Sequence, residues 1–582
     1  MLRVLRSLFI LAFCSAGLCV GQSTDGKTPA TVPVAPQAAT APTPEANVPV
    51  ATATSMKSTN SVAAPDVLAE ASTLYRKGNL TGATEKYQQA LLADPKSADA
   101  YAGLSRVYLK QGNVDLASET VTKGKVVSDS PALHVALGEV YFRQGKITEA
   151  EQEWVNVVNT GHLEARAFLG VARVRNALSM YKKGKAMIDR AHELDPSDPD
   201  IQRYWMRTLQ LSDRIHALEI RLAASEADSA EHASLQRSLD HLNALASEPR
   251  KRCHLVGNVT STETPLVQLL RDPIHLRGYG LTVNVNGQKA KLMLDTGASG
   301  ILVDRHIAER AGINKLMETR IGGIGDKGSK GGYVGIANSI KIGELEFQNC
   351  PVEVLEQRSV VDEEGLIGAD VFQDFLVDID FPKEKFRLSP LPKRPEGEDG
   401  TTAPVALRTG DEDSGSSVDN ADSRTGDAKN PAPPSASRFH DPYIAPEMKS
   451  FTKVYRFGHD LLVPTKIGNS PAKFFLIDTG ALTNQITPAA AREVTKVHGD
   501  SNITVCGLSG SVNKVYSADK AVLQFGHLRQ ENQDLLTFDL NSMSEYAGTE
   551  ISGTLGFVML HLLDIKIDYR DGLVDFDYKP RF

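Results

Sequence analysis

The chain has 582 residues, 41% hydrophobic and 23% charged, with a formal net charge of −8. That composition is ordinary for a soluble protein with several cores, and the acidic balance gives no reason to expect a nucleic-acid partner, which normally calls for a basic face. Histidine is scattered, HExxH is absent and the five cysteines lack paired spacing, so neither a metal nor another cofactor is implied.

Taken in order, Arg3 and Arg6 precede an apolar run from Leu8 to Val20 and then Gly21-Gln22, which predicts a signal peptide over 1–22 and export to the periplasm or the medium. The run is shorter than the about 20 residues a bilayer span needs, so no stable membrane span is expected once the leader is removed. Lipid attachment at Cys14 or Cys19 is disfavoured by bulky Phe13 and Leu18. The mature chain would keep Cys253, Cys350 and Cys506, read either as small buried hydrophobes or as one bridge plus a free thiol. Residues 23–63, rich in Pro, Ala and Thr, predict a flexible spacer.

From Asp66 helix formers recur with a period of about 34 residues. Gly78, Gly112 and Gly145 mark turns between paired helices; Tyr75, Tyr108 and Tyr141 precede them, and Ala83, Ala117 and Ala150 follow at one offset. Small residues where helices cross and large ones in the grooves are what an α-solenoid requires. Tyr87-Gln88-Gln89-Ala90 with Asp94-Pro95 closes the first unit, and Ile188-Asp189-Arg190-Ala191 with Asp195-Pro196 a degenerate fourth. The pattern resembles tetratricopeptide repeats over 64–198. A capping helix pair over 199–247, carrying Trp205, Leu209, Leu211, Ile215, Leu218 and Leu222, completes a solenoid of 64–247 whose concave groove is expected to dock a protein.

Beyond Pro249 alternation and glycine replace the helical period, interrupted over 395–440 by an acidic Gly/Ser/Pro-rich linker. The two β-rich segments correspond. Lys289 to Leu294 delivers Asp295-Thr296-Gly297-Ala298, and Ala472 to Ile477 delivers Asp478-Thr479-Gly480-Ala481. Roughly 73 and 78 residues beyond each aspartate come Gly365-Leu366-Ile367-Gly368 and Gly553-Thr554-Leu555-Gly556, and from the last glycines both reach an aspartate, Asp380 and Asp568, at one offset.

A strand ending in Asp-Thr-Gly, a glycine-rich flap, an apolar-Gly motif and a terminal hairpin resemble the retropepsin-like aspartic proteases, over 276–394 and again over 445–582. The fold expected is an α-solenoid followed by two all-β retropepsin-like domains. Asp295 and Asp478 would form a dyad sharing one proton, because like charges that close cannot both ionise, and would activate water against a peptide bond. The resemblance implies that Thr296 and Thr479 lock the two loops together. Gly297 and Gly480 leave room for backbone N–H groups to approach the carboxylates. Gly323, Ile324 and Gly325 with Gly507, Leu508 and Ser509 would be flap tips over a polypeptide substrate, and Ile367, Gly368, Leu555 and Gly556 the structural apolar-Gly motif.

Gly323 to Gly328 also fits a dinucleotide fingerprint formally, but the following Tyr333-Val334-Gly335-Ile336-Ala337 is not helix-forming. An intramolecular dyad is favoured, while pairing of a copy with its equivalent in a homodimer stays open. Ser299 becomes Leu482 in the second copy, which leaves its competence open. The alternative function is a pseudoprotease whose repeats scaffold a complex in the cell envelope.

Overall fold

The computed structural model describes residues 17–18, 64–227, 229–247, 253–356, 364–395, 443–499, 503–512 and 514–578. The expected spacer lies outside them, as do the linker from residue 396 and all of the leader except Gly17–Leu18, which pairs with Val505–Gly507.

Eleven helices among the described residues run from Ala64–Arg76 to Ala230–Ser247. The turns within the first three helix pairs place Gly78, Gly112 and Gly145 at φ of 76°, 80° and 75°; in the fourth pair Ser179 takes this left-handed position. Ala83, Ala117 and Ala150 are fully buried where the helices cross. The large groups fit against glycines: Trp154 packs onto Gly138 and Gly170, and Tyr87 onto Gly103, so that a methyl group at any of the three would overlap a ring. The expected capping pair is instead three helices, Pro199–Met206, Leu211–Ala224 and Ala230–Ser247. Leu209 falls in the connection, and Leu218 meets Leu235, Leu239 and Leu242 of the last helix, too late in the chain for the period read from Trp205. Among the described residues no helix is long and apolar enough to cross a membrane.

Two β-rich halves follow, with strands in the same spatial order. In the first it runs His275–Val285, Gln288–Asp295, Gly365–Gly368, Ile301–Asp304, Leu345–Leu355, Lys330–Ile342, Met317–Ile321. In the second it runs Asp460–Ile467, Lys473–Ile477, Gly553–Leu555, Gln485–Ile486, Leu528–Thr537, Tyr516–Phe525, Val497–Gly499. Each strand leading to an aspartate is paired in parallel with the apolar-Gly strand, Ile367 opposite Leu294 and Leu555 opposite Ile477. These residues are buried on both faces, which is why they read as continuous hydrophobic runs.

The first half starts earlier than the expected residue 276: Thr262–Pro265 pairs with Lys385–Pro390, and Val267–Asp272 with His275–Val285. Charged and polar residues alternate too irregularly there to give a clear strand period. Cys253 and Cys350 form a disulfide that ties this leading segment to Leu345–Leu355, and Cys506 is a buried free thiol.

The halves join through a six-stranded sheet in which Phe375–Asp380 runs antiparallel to Leu563–Asp568. Asp378 sits opposite Lys566, its counterpart when the halves are superposed by sequence. One hydrophobic cluster extends from both halves through this sheet, holding Phe372, Phe381 and Phe386 with Phe475, Tyr569 and Phe576.

The solenoid is seated on the second half. Thr549 donates to the Phe142 carbonyl (2.7 Å), Arg143 donates to the Ser544 carbonyl (3.0 Å), and the rings of Phe142 and Phe457 lie 6.1 Å apart. Trp154 and Phe168 belong to the same buried cluster as Phe474, Leu476 and Ile551. Much of this contact comes from the helix Asn541–Ala547 and the chain after it, between the last long strand and the apolar-Gly strand.

Candidate active site

Each aspartate ends a buried strand and turns into a loop that must face its counterpart, because the threonines in the two loops are exchanged. Thr296 Oγ1 donates to the Ile477 carbonyl (2.8 Å) and accepts from the Thr479 N–H (3.0 Å). Thr479 Oγ1 donates to the Leu294 carbonyl (2.8 Å) and accepts from the Thr296 N–H (3.0 Å). All four groups are removed from water, so each bond also satisfies a donor or acceptor that would otherwise be costly to bury.

This exchange brings Asp295 and Asp478, 0% and 2% exposed, into one site. Gly297 N–H donates to Asp295 Oδ1 (3.0 Å); Gly480 and Ala481 N–H groups donate to Asp478 Oδ1 (3.0 and 2.9 Å). A side chain on Gly297 would put its first carbon 2.7 Å from the Asp478 carboxyl carbon, so only glycine fits there. Burial, followed by the charge of Asp295, pushes the Asp478 carboxyl well above the usual carboxylate range, against the two backbone donors that lower it. Asp460 and Tyr569, also buried, are raised mainly by desolvation, with Asp370 and Asp295 adding to it.

Over the site, the two expected flap tips meet. Gly323 N–H donates to Ser509 Oγ (3.0 Å), Ser509 N–H to the Ile324 carbonyl (3.1 Å), and Lys327 N–H to the Ser509 carbonyl (2.8 Å). At φ 131° Gly325 lies against the Gly510 carbonyl, with no space for a side chain. The apolar tips cross over: Leu508 of the second half is buried with Met293, Ala298, Leu302 and Leu366 of the first, and Ile324 of the first with Leu462, Leu476 and Val505 of the second. The Gly323–Gly328 segment is therefore a hairpin tip leading into the strand Lys330–Ile342, with no helix after it.

Ile367 and Leu555 are fully buried beside the aspartate strands. Gly368 N–H donates to the Gly300 carbonyl (2.8 Å), whereas Gly556 N–H donates to the side-chain oxygen of Asn484 (2.9 Å). Ser299 and the Gly300 N–H both donate to Asp370 (3.0 and 3.1 Å). In the second half Leu482 and Val558 hold these two positions, and the Val558 N–H donates to the Leu482 carbonyl (3.0 Å). The Ser299/Leu482 difference is thus half of a paired replacement. Asp370 was missed, although it stands two residues past Gly368 where Val558 stands past Gly556.

The profile of the aspartyl protease family matches residues 281–371, and that of a tetratricopeptide repeat matches residues 74–125. The chain thus carries a retropepsin-like aspartyl protease domain and a tetratricopeptide repeat. It is similar to DNA damage-inducible protein 1 of Chaetomium globosum, 36% identical over 18% of this chain and 23% of that protein. It is also similar to the UBA domain-containing protein Mud1 of Schizosaccharomyces pombe, 32% identical over 19% of this chain and 33% of that one. The similarity therefore spans about a quarter to a third of the curated relatives' length. Among solved structures, a thermophilic TPR protein of Thermus thermophilus is 19% identical and covers 31% of this chain and 99% of its own, with a TM-score of 0.26.

Proposed function

We propose that the chain is an exported aspartic endopeptidase in which both β-rich halves are retropepsin-like and contribute one aspartate each to a single intramolecular site. The observation that carries this reading is the reciprocal threonine exchange, which holds Asp295 and Asp478 in one buried site within one chain. The raised Asp478 carboxyl keeps the shared proton while Asp295 acts as base. Asp295 takes a proton from water as its oxygen bonds to the peptide carbon, and Asp478 gives its proton to the carbonyl oxygen. As the tetrahedral species collapses and the C–N bond breaks, Asp478 takes back a hydroxyl proton from it and Asp295 gives its proton to the leaving nitrogen, which restores the starting dyad. The flap glycines would offer backbone groups to an extended polypeptide and exclude water, and the solenoid would hold a protein partner. Export is supported by the Cys253–Cys350 disulfide, a bond that persists in oxidising compartments.

The test is cleavage of a diverse peptide library between acidic and neutral pH by wild type, Asp295→Asn and Asp478→Asn. One shared dyad requires that both substitutions abolish cleavage; loss in Asp295→Asn alone would mean that the first half pairs between molecules. A scaffold function is favoured by the flap tips seated in the apolar pockets of the opposite halves, and would be supported if wild type cleaves nothing in the library while it still captures a partner.

A further inference from the structure

The two halves turn matching rows of side chains toward the flap tips, and the rows differ in polarity. In the first half Met293 stands opposite Leu366, and Leu366 opposite Leu302. In the second Leu476 stands opposite Thr554, and Thr554 opposite Gln485. Strand alternation points these residues away from the inner core that holds Leu294, Ile367, Ile477 and Leu555. Leu508 is buried with Met293, Leu302 and Leu366, and Ile324 with Leu476. Two leucines on the Asp295 side are thus replaced on the Asp478 side by a carboxamide and a hydroxyl. One strand further out the order reverses, with Glu353 beside Leu302 and Leu536 beside Gln485.

Gln485 and Thr554 are each 1% exposed. Although they face each other across the strands, Gln485 Oε1 and Thr554 Oγ1 have no hydrogen-bond partner among the described residues. Polar atoms buried in this way are costly unless something bonds them, so the row is built for an occupant that does. Gln485 Oε1 accepts, and the Thr554 hydroxyl can donate or accept. A neutral carboxamide answers both at once, its N–H going to Gln485 and its carbonyl taking the Thr554 proton. An aliphatic side chain would leave both atoms buried and unbonded, and a charged one would have to shed its hydration as well.

We propose that Gln485 and Thr554 make the Asp478 side of the site selective for asparagine or glutamine, while Leu302 and Leu366 on the Asp295 side take an aliphatic residue. This selectivity rests on the endopeptidase reading and adds the substrate class to it: a polypeptide with a carboxamide on one side of the cut bond and an aliphatic side chain on the other.

Two measurements on the full chain test this. Cut sites in a diverse peptide library, read by mass spectrometry, should carry Asn or Gln at one fixed position on one side only, with kcat/KM roughly tenfold or more above the Leu analogue. Gln485→Leu with Thr554→Leu should reverse that preference and cut the Leu analogue faster than wild type does, a gain that misfolding cannot produce. Fluorescence anisotropy reads the same pocket without cleavage, using fluorescein-labelled Leu peptides with a reduced, uncleavable central amide and Asn scanned through the three positions on each side. One Asn position should tighten binding roughly tenfold in wild type and weaken it in the double variant. A binding preference without any cleavage would refute the endopeptidase reading and leave the pocket standing. The pocket is refuted if both sides prefer aliphatic residues, if the double variant keeps the preference for Asn, or if the selected residue is Lys or Arg, which would give the choice to Glu353.

Discussion

Thr296 and Thr479 each donate a hydroxyl proton to the strand that delivers the other half's aspartate, and each accepts the other's backbone N–H. Replacing Thr479 by Val keeps the shape but orphans the buried Leu294 carbonyl and the Thr296 N–H, at roughly 1–3 kcal/mol for each group. We expect a lower urea midpoint and loss of peptide cleavage, with Thr479→Ser close to wild type in both. A Val variant as stable as wild type would mean that the exchange contributes nothing to the joint.

Acid pH should stabilise the β-rich halves. Burial raises Asp374 to about 6 and Asp568 to about 7, the latter helped by the charge of Asp571. A carboxyl raised on folding binds its proton more tightly in the folded chain. Its contribution is full below the ordinary value of 3.8 and is lost as pH rises through about 6 and 7. Melting temperature should fall between pH 5 and 8, and Asp568→Asn should flatten that slope. Glu139, which its arginines hold below the usual range, acts in the opposite sense, losing its contribution as pH falls through its lowered value. A wild-type slope unchanged in Asp568→Asn would refute this assignment.

The Cys253–Cys350 bridge closes a loop with a sequence separation of 97. Chain-entropy reasoning gives about 4.7 kcal/mol for a loop near that length, within the roughly 2–5 kcal/mol measured when native bridges are removed. We expect a reducing agent, or Cys253→Ala with Cys350→Ala, to lower thermal stability by an amount in that range. Calorimetry with and without reductant reads it directly.

Leu508 of the second half fills an apolar pocket formed by Met293, Ala298, Leu302 and Leu366 of the first. Truncation to Ala removes a contact costing roughly 2–5 kcal/mol in a packed site and should loosen the closed flap. Amide exchange across 503–512 should then accelerate while Lys473–Ile477 keeps its protection, and KM for peptides should fall. Unchanged exchange would show that Leu508 does not hold the flap.

The helical register was legible because Gly78, Gly112 and Gly145 are required by left-handed turns and Ala83, Ala117 and Ala150 by helix crossings, so local chemistry and packing ask for the same residues. The aspartate strands were legible for a similar reason, being buried on both faces. Asp370 was not, since its partners Ser299 and Gly300 are distant in sequence and it carries no periodic signal. The seat of the solenoid was equally hidden. It depends on Thr549 reaching a carbonyl 407 residues away and on a short helix that looks like loop by composition. Choosing Cys350 over Cys506 as the partner of Cys253 likewise required the pairing of His254–Val256 with Leu345–Leu355.

The sheet formed by Phe375–Asp380 and Leu563–Asp568 joins the halves inside one polypeptide. In a pair of identical chains every substitution is made twice, on both sides of the axis. Here Ser299 and Asp370 can become Leu482 and Val558 on one side only, and a helical array can sit against one side only. The two sides of the aspartate site are consequently unlike. A peptide bound at the proposed site would therefore meet different neighbours depending on which terminus leads.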